Sequence, residues 1–204
     1  MTMVSGMHVT PSSLRAAARD AIVYAGCALL LPLCLVAWLD RTDALFAATS
    51  ELLSLVPGKL GIFARRSFYR MTLSHCATDV HIGFGTTFAH SQATIGRGVY
   101  IGNRCSIGLC SLDDHVTIGS NVDLLSGRRQ HRFDAPNVPI QEQGGVFEMV
   151  HVGRNAWLGN SSVILADVGA SAVVGAGSVV IHSVTAGAVV AGNPAQIKRQ
   201  REVA

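Results

Sequence analysis

His131 and Asp134 lie three residues apart in a segment that also carries Arg128, Arg129 and Arg132. A neutral imidazole titrates near physiological pH and can take a proton from a hydroxyl. A carboxylate beside it can orient the ring. The same pair also reads as a solvated loop histidine and a loop-stabilising Asx residue. His81, His90, His115 and His151 fall at positions expected to face solvent or a subunit interface. His81 and His115 loosely echo a three-histidine zinc site, but no third histidine follows close behind His115. The cysteines Cys27, Cys34, Cys76, Cys105 and Cys110 have neither disulfide nor metal spacing, so reduced thiols and no metal are expected.

The segment holding His131 is residues 125–149, and it interrupts a repeat. An aliphatic–Gly pair recurs at Ile82-Gly83, Ile95-Gly96, Ile101-Gly102, Ile107-Gly108, Ile118-Gly119, Val152-Gly153, Leu158-Gly159, Val168-Gly169 and Val174-Gly175. Several pairs are six residues apart. Four residues after each aliphatic comes a small or β-branched residue: Thr86, Val99, Cys105, Ser111, Val122, Ala156, Ser162, Ala172 and Ser178. A six-residue period with two fixed positions predicts a solenoid. Three hexads make one triangular coil, with aliphatic side chains stacked inside and small residues at the corners. A structureless stretch as long as 125–149 within such a repeat is usually functional. Between Ile164 and Val168 a hexad lacks two residues, which predicts a kink. Residues 72–81 are expected to cover the start. Pro194 should stop the last strand, leaving 195–203 as a basic helix or tail.

The chain has 204 residues, 49% hydrophobic and 14% charged, with a formal net charge of +3. That charge is too small to argue for nucleic acid. The apolar excess is concentrated at 21–39, a stretch without any charge, near the length that spans a bilayer. It starts too far in for a cleaved signal peptide and lacks a small-residue cleavage motif. A weaker apolar stretch follows at 44–63. Arg15 and Arg19 precede the first, and Lys59, Arg65, Arg66 and Arg70 sit in or after the second. Positive flanks favour the cytoplasmic side. The expected arrangement is a hairpin that enters and returns, or two helices in one leaflet, with the arginines at lipid headgroups. The alternative is a pair of helices packed on the β-domain or at a subunit interface. Two regions follow: an apolar helical segment at 1–71, associated with a membrane, and a β-domain at 72–204.

The motifs resemble those of a known superfamily. Ser126-Gly127-Arg128-Arg129-Gln130-His131-Arg132-Phe133-Asp134 is similar to the extended loop of the hexapeptide-repeat acyltransferases. The xenobiotic branch has Asp three residues after its catalytic His. Residues 152–160 (VGRNAWLGN), 174–180 (VGAGSVV) and 190–195 (VAGNPA) also match the superfamily's segments. The resemblance covers about residues 80–199. The apolar N-terminus looks like the membrane-proximal segment of exopolysaccharide-type members.

The resemblance implies a left-handed parallel β-helix and an acetyl-CoA-dependent O-acetyltransferase acting on a sugar hydroxyl of a surface polysaccharide or its lipid-linked precursor. His131 would be the general base and Asp134 its support. Acetyl-CoA would contact Trp157, Gly159, Asn160, Ala176 and Gly177, with Lys198 and Arg199 at its phosphates. The active site would form between subunits of a homotrimer at the cytoplasmic face of a bacterial inner membrane. Competing readings are a soluble small-molecule acetyltransferase, a metal enzyme of the γ-carbonic-anhydrase type and a non-catalytic scaffold.

Overall fold

The computed structural model describes residues 11–40 and 42–202; residues 1–10 of the N-terminal segment, Arg41 and Val203 of the tail lie outside the described residues. Very short strands wind into a parallel solenoid of about six turns with three faces. Face 1 stacks β1 (His75–Cys76), β4 (Thr94–Ile95), β7 (Cys110–Leu112) and β10 (Val150–Val152), and is extended by the single bridging residues Val168 and Val184. Face 2 stacks β2 (His81–Ile82), β5 (Tyr100–Ile101), β8 (Thr117–Ile118), β11 (Trp157–Leu158), β13 (Val173–Val174) and β15 (Ala188–Ala191). Face 3 stacks β3 (Thr87–Phe88), β6 (Ser106–Ile107), β9 (Asp123–Leu124), β12 (Val163–Ile164) and β14 (Val179–Val180).

The aliphatic of each hexad points inward, as the repeat predicts. On face 2, Ile82, Ile101, Ile118, Leu158, Val174 and Val190 are paired in register, each at most 3% exposed. Each such side chain contributes about 1.5–3 kcal/mol by leaving water. The glycine after the aliphatic is required by close approach. A Cβ on Gly102 would come within 2.6 Å of the Gly119 carbonyl carbon, and one on Gly96 within 2.7 Å of the Asp114 nitrogen. The left-handed backbone falls two residues later, at Gly98, His115, Asn155, Ser171 and Gly187 on one corner. At the next corner Gly85, Arg104, Asn121, Ser161 and Gly177 take the same conformation. Except at Gly85 and Gly98, their amides donate to the coil before, as from Asn155 to the Asp114 carbonyl at 3.1 Å and from Gly177 to the Asn160 carbonyl at 2.9 Å.

Four expectations are corrected. Ser111 faces outward and Cys110 is buried in its place, because the repeat loses one residue before β7. The short hexad at 164–168 produces no kink. Face 1 contracts to one bridging residue, Val168, paired with both Val152 and Val184, while faces 2 and 3 stay in register. Insertions and deletions all fall at the corner from face 3 to face 1. Residues 196–200 are neither helix nor tail: β16 (Gln196–Gln200) turns back antiparallel on β15 and covers the last free edge of face 2.

The fourth correction concerns the other end, where helices rather than residues 72–81 alone cover the first coil. Helix α1 (Pro11–Leu39) is followed by α2 (Ala44–Ser54) and α3 (Gly58–Thr72). The second apolar stretch is therefore two helices, and α2 with 11 residues is about 16 Å long, half of a bilayer core. Arg65 does not meet lipid; it is fully buried. It donates to the carbonyls of Ile82 at 3.0 Å, Leu53 at 3.0 Å and Val56 at 2.9 Å, tying both helices to the first coil. Arg70 likewise donates to the Cys76 carbonyl at 3.1 Å, and Arg66 lies over the Phe63 ring. Ser50 accepts the Phe88 amide at 2.9 Å and shares a hydrogen bond with the Tyr69 hydroxyl. The first coil's free edge is thereby paired, and helices and prism share one hydrophobic core.

Candidate functional site

The interrupting loop leaves the prism after β9 on face 3 and re-enters at β10 on face 1. Its base is an irregular hairpin. The Glu148 amide donates to the Ser126 carbonyl at 2.9 Å, Val146 to Arg129 at 2.8 Å and Arg132 to Gly144 at 2.8 Å. Arg129 pairs with Glu148 and holds that carboxyl below its usual range. The tip is closed by Gln143, whose amide bonds both the N–H and the carbonyl of Ala135 at 3.0 Å. Arginines at 128 and 129 thus have a place in or beside the loop's own framework.

His131 and Asp134 stand on the ascending arm, and every residue from 131 to 142 is exposed. Among the described residues neither side chain makes a hydrogen bond or ion pair. The loop also exposes large apolar side chains: Phe133 at 73%, Ile140 at 57% and Phe147 at 55%.

The other predicted residues lie elsewhere. Trp157 and Arg199 line a groove of about 470 Å³ on face 2, with Thr117, Asn155, Val189 and Arg201. Arg201 is fixed there by donating to the Ser171 carbonyl at 2.8 Å. Two guanidiniums and an indole suit a ligand with phosphates and a flat ring. Lys198 is exposed on β16 and is not among the groove's lining residues. Gly159, Asn160, Ala176 and Gly177 occupy the corner between faces 2 and 3. There Asn160 has a structural duty, since its side-chain oxygen accepts the Ser120 amide at 3.0 Å. Gly159 cannot carry a Cβ, which would sit 2.5 Å from the Ala176 nitrogen. The six other cofactor positions therefore form two neighbouring patches, on face 2 and its corner, whereas His131 is rooted at the opposite corner.

A second groove of about 440 Å³ lies on face 3 beneath the loop, lined by His90, Ser106, Asp123, Gln130, Phe147 and Val163. His90 packs on the Phe147 ring at 5.1 Å and faces the Asp43 carboxylate, 3.6 Å away. Sequence reasoning left His90 facing solvent or an interface. Its partner comes from the link between α1 and α2, 47 positions earlier, and no local spacing signals that pairing. His81 stacks on Tyr100 with ring centroids 4.5 Å apart, and burial lowers its pKa. Among the described residues no three His, Cys, Asp or Glu side chains gather to hold a metal.

With this geometry in view, comparison with known proteins is informative for the fold. No family model matches the chain and no curated protein matches it. Solved structures do. A maltose O-acetyltransferase from Clostridium difficile 630 superposes with a TM-score of 0.69 at 19% identity, covering 78% of this chain and 86% of that one. The fold is that of the hexapeptide-repeat acetyltransferases. A hexapeptide-repeat containing acetyltransferase from Vibrio cholerae gives a TM-score of 0.64 at 21% identity, over 78% of this chain and 90% of that chain; it has also been solved with acetyl coenzyme A. A galactoside acetyltransferase in complex with coenzyme A gives 0.59 at 22%, over 78% and 80%. The expected solenoid of hexapeptide repeats is borne out.

Proposed function

We propose that the chain is an acetyl-CoA-dependent O-acetyltransferase, moving an acetyl group to a sugar hydroxyl of a surface polysaccharide or its lipid-linked precursor. The observation that carries this reading is the single long loop, extruded from an otherwise strict repeat, that holds an exposed His131 out from a fold shared with maltose and galactoside acetyltransferases.

His131 acts as general base. It removes the proton of the acceptor hydroxyl as the oxygen attacks the thioester carbonyl, and a tetrahedral oxyanion forms. A backbone N–H supports that charge. Collapse breaks the C–S bond, and the imidazolium returns its proton to the departing thiolate. The products are the O-acetyl sugar and free CoA. Asp134 orients the ring or stiffens the loop. Trp157 and Arg199, with Arg201 added from the groove's geometry, receive the nucleotide end of acetyl-CoA. Its pantetheine arm follows the corner at Gly159, Asn160, Ala176 and Gly177, and Lys198 approaches from β16. Because His131 and this groove are rooted on different sides of one protomer, the loop serves a neighbouring subunit. A homotrimer closes that arrangement and covers Phe133 and Ile140. The enzyme works at the cytoplasmic face of a bacterial inner membrane, a location that the apolar helix within 1–71 supports.

The test is CoA release from acetyl-CoA with a panel of glycan and lipid-extract acceptors, alongside acetyl-CoA binding. Turnover with a glycan names the acceptor class. Absence of acetyl-CoA binding contradicts the reading and leaves a scaffold.

A further inference from the structure

We infer that α1 lies in the plane of the membrane as a monotopic anchor, across the end of the prism, and does not span the bilayer. The inference deepens the proposed membrane location and fixes the orientation of the whole solenoid.

Helix α1 is long and apolar enough to cross a membrane, with a mean hydropathy of 2.3 over its most apolar 18-residue window. Its packing contradicts a crossing. The buried positions Val23, Cys27, Cys34 and Ala37, with Leu30 partly buried between them, are spaced by four and three residues and form one narrow stripe. That stripe faces α3 and α2. Ser67 donates to the Val23 carbonyl at 3.0 Å, and the Cys27 thiol donates to the Ser67 carbonyl. Helices α2 and α3 are themselves fastened to the first coil by Ser50 and Arg65.

Two separated points of this helical segment meet that same coil. Part-way along α1, Arg19 and Tyr24 line a cavity together with Ala77 and Thr78 of the first coil. Just past its end, Asp43 faces His90. Thr78 and His90 belong to the two corners that flank face 1. A helical segment tied to one coil at two such points lies across the solenoid axis, not along it.

The outer side of α1 is apolar where a water-facing helix is polar. Leu29 and Leu39 are each 81% exposed, and Trp38 is 52% exposed. On α2, Leu45, Leu52 and Leu55 add a second exposed apolar stripe, and Leu60 begins α3 beside it. Exposed Arg15 and Lys59 lie at the margins of this surface, suited to anionic headgroups. The occupant that fits is a lipid bilayer surface. The solenoid axis then stands along the membrane normal. The catalytic loop turns back toward this end, since Phe147 reaches His90 and the Leu109 amide donates to Ser126. Its base lies two to three strand spacings, about 10–15 Å, from the first coil. An acceptor held on a membrane lipid is therefore presented to the same end.

The test uses full-length protein bound to sealed vesicles of phosphatidylethanolamine and phosphatidylglycerol. Ala18→Cys and Ala44→Cys, at exposed positions flanking the apolar run, are treated with a membrane-impermeant maleimide. The five native thiols are buried, so the unsubstituted protein gives the background. An in-plane helix labels equally at both positions with and without detergent. Labelling of one position only after detergent overturns the proposal, as does failure of the protein to float with the vesicles. Leu29→Glu with Leu39→Glu should reduce flotation at least tenfold while leaving thermal unfolding unchanged, because neither side chain is packed. None of these readouts depends on turnover, so failure of the anchor and failure of the transferase reading are distinguishable.

Discussion

The prism and the loop that interrupts it obey opposite rules. Inside the prism each aliphatic is fixed by neighbours in the coils above and below, and Ile82, Ile101, Ile118 and Leu158 are wholly shielded from water. In the loop, twelve successive residues from 131 to 142 face solvent, and the framework is a few hydrogen bonds at its base. The difference separates two tasks. The prism supplies a rigid backbone on which grooves and corners repeat, and the loop holds out a side chain, His131, that has no partner among the described residues. On the proposed reading, stability belongs to the first and chemistry to the second, and substitutions should separate them.

The largest effect on stability is expected inside. Ile118→Ala should cost about 2–5 kcal/mol, because neighbouring coils cannot collapse onto the cavity; chemical denaturation measures it, and a loss below 1 kcal/mol would break the contrast. At the capped end, Arg65→Ala removes the donor to the Ile82, Leu53, Ser54 and Val56 carbonyls, about 3 kcal/mol in total. The melting temperature should fall by roughly 6–12 °C. A Lys at this position meets fewer of those carbonyls and should recover only part of the loss. On the outer face, Trp157→Ala should raise KM for acetyl-CoA about tenfold, the loss of roughly 1.4 kcal/mol of contact, with unfolding almost unmoved. Phe133→Ala should shift protomer stability by less than about 0.5 kcal/mol. If its ring packs on a neighbour, the same change weakens the oligomer in sedimentation velocity.

What could be read from the sequence follows the same division. The inward stack was legible because each coil repeats one physical requirement, so Ile101 and Val174 announce themselves by phase. The loop was legible as a break in that phase. Departures of one or two residues were harder. At Ser111 the phase slips by one, and only pairing with neighbouring coils reveals that Cys110 turns inward. The missing residues before Val168 looked like a defect, yet one corner absorbs every length change and the other two faces never notice. Arg65 was misread for a different reason. An arginine near an apolar run has the same composition signature whether it meets a headgroup or caps the carbonyls of a strand edge. The outcome depends on which coil end lies beneath it. The pairing of Asp43 with His90 was likewise invisible, since it joins a helix link to a corner far along the chain.

The central claim is that His131 does chemistry and no structural work. Its most direct test compares wild type with His131→Ala for CoA release from acetyl-CoA in the presence of the productive glycan, together with the thermal unfolding of both. The account predicts a loss of about 100-fold or more in kcat/KM, the size expected for a missing general base, with melting temperatures that coincide. Equal turnover by the two proteins would contradict it and remove His131 from the site.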